Sequence, residues 1–182
     1  MTMNRISRRN WLLRTAAGAA ALAAGMAQLR LALAAETVAQ GVSRVRGEVL
    51  IGGKPAVHGM EVRPGDVVTV GRRSEAVFVV GRDAFMVRSG SRIEFSGAAS
   101  EAVVRGLRLV TGALLSVFET GRASRIQTAT ATIGIRGTGI YVEVEKMRTY
   151  ACTCYGEAEL VPVGAPQAPA TVRTTHHAQP RY

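Results

Sequence analysis

The sequence predicts an all-β protein of many short strands, coiled solenoid-like or stacked as a sandwich, behind a helical N-terminal segment. Three observations predict it. Apolar and polar residues alternate through the stretch Thr128 to Glu145, the mark of half-buried strands. Turn-forming clusters of Gly, Pro and Ser recur about every ten residues. Beyond the first 34 residues, no long segment carries a 3.6-residue apolar period. Aromatic residues make up only 5% of the chain while Val, Ala and Gly are plentiful, a composition that suits short strands and frequent turns.

The elements follow in order. Val42 to Ala56 reads as a hairpin broken at Gly47 and Gly52-Gly53. Pro64-Gly65 is the natural centre of a type II turn, with Pro presetting φ and Gly accepting the positive φ that follows. Strands are then expected at Val67–Val70, Glu75–Val80, Ala84–Arg88 and Arg92–Phe95, each stopped by a Gly or Ser turn. Ala102–Val110 is a strand bent at Gly106, and Ala113–Phe118 is a strongly apolar one ending before Gly121. The stretch from Thr128 reads as two strands joined by a tight Arg136-Gly137-Thr138-Gly139 corner, with Ile133 and Ile135 on one face before it and Ile140, Val142 and Val144 on one face after it. Arg148–Tyr155 and Glu157–Val163 are two further strands. Residues 163–182 read as a Pro/Ala connector and a polar tail, with one strand at Val172–His177.

The net charge of +10 is unevenly placed. Residues 1–34 hold Arg5, Arg8, Arg9, Arg14 and Arg30 and no acid. The rest carries 18 basic against 13 acidic residues, with no basic run interleaved with aromatics, so nucleic acid is not an expected partner. Ser7-Arg8-Arg9-Asn10-Trp11-Leu12-Leu13 resembles the twin-arginine export signal. A mild Ala/Gly-rich stretch follows, and Ala32-Leu33-Ala34 offers small residues for cleavage. The expected organisation is therefore a signal peptide over 1–34, a β domain over 35–162, and the connector and tail. The expected location is the periplasm, with membrane contact only through an uncleaved signal.

The ordered features also resemble one family. They are Val45-x-Gly47-x-Val49, Pro64-Gly65-Asp66-x-Val68, Ser74 with Ala76, Ser89-Gly90-Ser91, Leu109-x-x-Gly112-Ala113-Leu114-x-x-Val117 and Ile135-Arg136-Gly137-Thr138-Gly139. In this order they resemble the FecR domain family over Val42 to Val144, with Arg136, Gly137, Thr138 and Gly139 as the signature corner. The resemblance implies a periplasmic β module that receives a signal by contact, in the family's best-known members a signal of iron-siderophore uptake. With an export signal at the N-terminal end, the sigma-factor-regulating half of such proteins is not expected here.

Residues able to carry chemistry are few. Cys152-Thr153-Cys154 puts two thiols on one side of a strand, and His176-His177 could complete a Zn, Cu or Fe site. The same residues equally fit buried thiols, a local disulfide and solvated tail histidines. No cofactor is the leading expectation. Glu143 and Glu145 share the polar face of a strand, His58 stands alone, and Arg136 is expected to hydrogen-bond near its own corner. No nucleophile elbow, zinc-protease helix, phosphate loop or dinucleotide fingerprint is present. The chain therefore reads as a non-enzymatic binder of an envelope protein. A metal or redox carrier and a scaffold for cell-wall or surface polysaccharide are the alternatives.

Overall fold

The protein is described by a computed structural model covering residues 39–97 and 106–181. The signal expected over 1–34 lies outside the described residues, as does the start of the strand expected at Ala102. Among the described residues every regular element is a strand: β1 Gly41–Arg46, β2 Val49–Ile51, β3 Lys54–Pro55, β4 Val67–Val70, β5 Glu75–Val80, β6 Asp83–Val87, β7 Arg92–Ser96, β8 Gly106–Val117, β9 Ala123–Gln127, β10 Ala131–Val144, β11 Thr149–Pro162, β12 Ala170–Thr174 and β13 Ala178–Arg181.

The long strands β8, β10 and β11 organise the sheet. The first half of β8 pairs with β7 and, in parallel, with β9; its second half pairs with β6 and β10. β10 likewise changes neighbour, from β9 before the corner to β8 after it, while β11 runs along its other edge throughout. Two half-sheets result. One is β1-β5-β6 continued by the late parts of β8 and β10, the early part of β11, and β13. The other is β3-β2-β4-β7 continued by early β8, β9, early β10, late β11 and β12. All pairings but one are antiparallel, as in the sandwich reading rather than a solenoid.

The two half-sheets share one core. Period-two burial turns Ala76, Phe78, Phe85, Val87, Ile93, Phe95, Leu107, Leu109, Leu114, Ile133, Ile140 and Val142 to the same interior. Phe95 of β7 lies edge-on to Phe78 of β5 and Phe85 of β6, at centroid distances of 5.8 and 5.4 Å, across strands that do not pair. Each buried ring of this kind contributes roughly 1.5–3 kcal/mol by leaving water.

The hairpin expected over Val42 to Ala56 forms only at Gly52-Gly53, between β2 and β3, while β1 pairs with β5 instead. Three other glycines depart from expectation. Gly112, Gly137 and Gly156 were expected to separate strands, yet β8, β10 and β11 run through them. Each takes a positive φ, of 80°, 56° and 92°. A strand that crosses from one half-sheet to the other must bend, and glycine makes that bend without a Cβ penalty. The bend in β8 is patched by Ser91, whose buried hydroxyl accepts from Ala113 N at 2.9 Å and donates to Ala113 O at 3.1 Å. Two strands also lie where none was expected, β9 and β13; β12 falls on the expected tail strand and edges β11. The Pro64-Gly65 turn forms as read, with Asp66 N donating to Arg63 O and Gly65 at φ 92°.

A buried ion pair ties the β5–β6 hairpin to the loop after β8. The fully buried Asp83 carboxylate accepts from Glu119 N at 2.9 Å and is paired with Arg122.

Candidate functional site

The signature corner is a bulge within β10, not a turn between strands. Register with β11 slips between Arg136 and Gly139, so two residues bow out of the ladder. Thr138, fully buried, closes the gap: its hydroxyl donates to Glu157 O at 2.8 Å and accepts from Glu157 N at 3.0 Å. Opposite it, a Cβ on Gly156 would stand 2.6 Å from Thr138 Oγ1 and 2.7 Å from Gly137 O. A Cβ on Gly137 would meet Thr120 Cα at 2.7 Å, and one on Gly139 would meet the Tyr155 ring at 2.4 Å. The motif is therefore two close backbone approaches, at Gly137 and Gly156, with the Tyr155 ring against Gly139, sewn by one hydroxyl.

The structural role expected of Arg136 thus belongs to Thr138. Arg136 is exposed, and its guanidinium makes no hydrogen bond among the described residues. Its register partner Glu157 is instead gripped by the Arg173 fork at 2.8 and 3.3 Å. Those hydrogen bonds hold the Glu157 carboxyl below its ordinary range, with the nearby charge of Arg136 a lesser contribution.

Arg136 lines an open groove of about 660 Å³ on the outer face of the second half-sheet. Register explains its shape. Gly134 pairs with Arg125 on one side and Glu159 on the other, and Arg136 pairs with Ala123 and Glu157. Small residues, Gly106, Ala123 and Gly134, make the floor, while Arg125, Arg136, Glu157 and Glu159 stand around it. A shallower hollow of about 640 Å³ continues from Arg136 and Glu157 past Arg173. The surface offers fixed charges of both signs over bared backbone, which suits an extended polar partner. Sequence reasoning singled out Arg136 alone. Arg125 belongs to the unread strand β9; the alternation of Ser124 and Ile126 with Arg125 and Gln127 was its signal.

The other residues noted in the sequence fall elsewhere. Cys152 and Cys154 lie half-buried on the outer face of β11 as free thiols, and Cys154 Sγ leans to within 3.8 Å of Cys152 O. Burial first, then the charge of the neighbouring Cys152, push the Cys154 thiol above its ordinary range. His177 N donates to Cys154 O at 2.8 Å, and both His176 and His177 are exposed. The C-x-C and His-His pairs are therefore joined through the backbone, where the bend between β12 and β13 meets β11. Among the described residues, no three His, Cys, Asp or Glu side chains converge as a metal site would require. Glu145 pairs with Arg148 at 2.5 Å, and exposed His58 lies 3.2 Å from Ser43 O through Nδ1.

Glu143 accepts the Tyr141 hydroxyl at 2.9 Å. Burial, then this carboxylate, push the Tyr141 phenol up to about 12 from 10.0. A folded value above the unfolded one means a stabilising contribution that is complete below pH 10 and is lost as pH rises towards 12. In an ultraviolet pH titration, one tyrosine should ionise last, and that late step should vanish in Tyr141→Phe and move to lower pH in Glu143→Gln.

No family model matches the sequence, and no curated protein matches it. Two crystal structures of a candidate anti-sigma factor from Parabacteroides distasonis are similar over 59% of this chain. Their sequence identities are 12% and 11%, and the TM-score is 0.49 for each. The chain spans half the length of that neighbour.

Proposed function

We propose that this protein is a non-enzymatic binding module of the cell envelope, exported by the twin-arginine signal that Arg8-Arg9 resembles, and that it captures an extended segment of another envelope protein in the groove around Arg136. The observation that carries this reading is the groove itself. An exposed guanidinium without a hydrogen-bonded partner among the described residues faces two carboxylates over a floor of glycine and alanine. The FecR resemblance makes signalling the purpose of such capture, with iron uptake as the signal.

The test is site-specific photocrosslinking from Gln127, beside the groove, in cells exporting the full chain. One envelope protein should crosslink, and Arg136→Glu should reduce its yield about tenfold or more, as for loss of a central interfacial arginine. A yield indifferent to Arg136→Glu, or crosslinks to glycan strands alone, would count against the reading.

A further inference from the structure

The outer faces of the two half-sheets differ in character. The one bearing the groove is charged, with Arg92, Glu94, Arg108, Arg125, Arg136, Glu157 and Arg173 all directed outward. The other is apolar at its centre, with charges towards its edges. Register aligns Val77, Met86, Leu115, Tyr141 and Cys152 in one row across β5, β6, β8, β10 and β11, with Arg44 of β1 at its edge. The next row brings Val79, Ala84 and Val117 together, with Val117 40% exposed. Their inward neighbours, Phe78, Phe85, Leu114, Ile140 and Val142, already fill the core, so these rows face away from it. A half-sheet apolar on both sides is normally covered on both.

A third row says what covers it. Arg88 N bonds Ala113 O, and Ala113 is in register with Glu143, so the outer row there reads Arg88, Ala113, Glu143, with Tyr150 beyond Glu143 and Glu75, itself paired with Arg44, beyond Arg88. β6 and β10 flank β8 on opposite sides at equal strand spacing, about 4.8 Å. The two strands next to β8 therefore carry a positive and a negative charge placed evenly about it. A two-fold axis running along β8 maps each onto the other.

We propose that this face is the interface of a homodimer, with its two-fold axis along β8. Leu115 and Val117 then meet their own counterparts on the axis. Met86 packs on the partner subunit's Tyr141, and Arg88 meets the partner subunit's Glu143, twice by symmetry. This is an isologous contact, apolar at its centre and charge-matched at its rim. A partner of one charge sign would leave Arg88 or Glu143 opposed by like charge. The groove remains open on the far side, so the dimer presents two of them.

The purified full-length chain should sediment as a dimer at micromolar concentration. Leu115→Arg should weaken dimerisation about a hundredfold, as burying a charge at an interface centre does. Arg88→Glu and Glu143→Arg should each weaken it about tenfold, and the double exchange should restore it. Should Leu115→Arg fail to fold, Leu115→Cys in a Cys152→Ser, Cys154→Ser background reads the same geometry, by forming a disulfide-linked dimer with an added oxidant. A chain that stays monomeric overturns the proposal. So does a double exchange no better than the single ones, or coverage of this face by a different protein while the chain alone is a monomer.

Discussion

Gly156→Ala is expected to destabilise the fold by about 3 kcal/mol. Two costs add. At φ 92° an L-residue takes up left-handed strain of about 1–2 kcal/mol. The new methyl would also stand 2.6 Å from Thr138 Oγ1 and 2.7 Å from Gly137 O. Neither can yield cheaply, since Thr138 is fully buried and both belong to the bulge where β10 crosses between half-sheets. Thr138→Val gauges the other side of the contact. It keeps the shape, removes the hydroxyl that Glu157 N donates to, and should cost about 1–3 kcal/mol for the orphaned amide. Urea unfolding followed by far-ultraviolet circular dichroism would measure both. An Ala variant as stable as the wild type would mean that the corner is not a close backbone approach.

Asp83→Ala should cost more, about 3–5 kcal/mol, because it leaves Arg122 facing a buried, unpaired position. The Arg122 Nε already lacks a partner among the described residues, so the guanidinium depends on this carboxylate. Burial holds the Asp83 carboxyl above its ordinary 3.8 despite the Glu119 amide and the Arg122 charge, both of which pull it down. With the folded value above the unfolded one, the contribution of this group to stability is complete below pH 3.8 and declines as pH rises through the folded value. Asp83→Asn keeps an acceptor for the Glu119 amide but cannot titrate. The stability gap between wild type and Asp83→Asn should therefore narrow as pH rises through that window. A gap that widens would show that pairing with Arg122 outweighs desolvation.

Glycine is where sequence and structure part. Gly65 ends up in the turn that its Pro64 neighbour foretold, because a Pro-Gly pair satisfies a local dihedral requirement. Gly112, Gly137 and Gly156 supply the same positive φ, yet each sits inside a strand. Locally, a bend that reverses the chain and a bend that carries it into another layer need the same residue. Only the pairing partners distinguish them, and these lie far along the chain, as Ser91 does from Ala113 and Thr138 from Glu157. The candidate site divides likewise. Arg136 was visible from its motif, whereas Arg125, Glu159 and Arg173 join it through register alone.

By itself the sequence determined that the described chain is built of strands, which residues share a face in the stretch from Thr128 to Glu145, and where the Pro64-Gly65 turn lies. Those are short-range matters, decided by period-two alternation and by the dihedral needs of Gly and Pro. The tertiary structure alone decided that three long strands cross between half-sheets, that Thr138 rather than Arg136 sews the corner, and that one outer face is charged throughout and the other apolar at its centre. The reason is physical: cross-strand register joins residues tens of positions apart, and nothing within a single strand records which neighbour its hydrogen bonds will find.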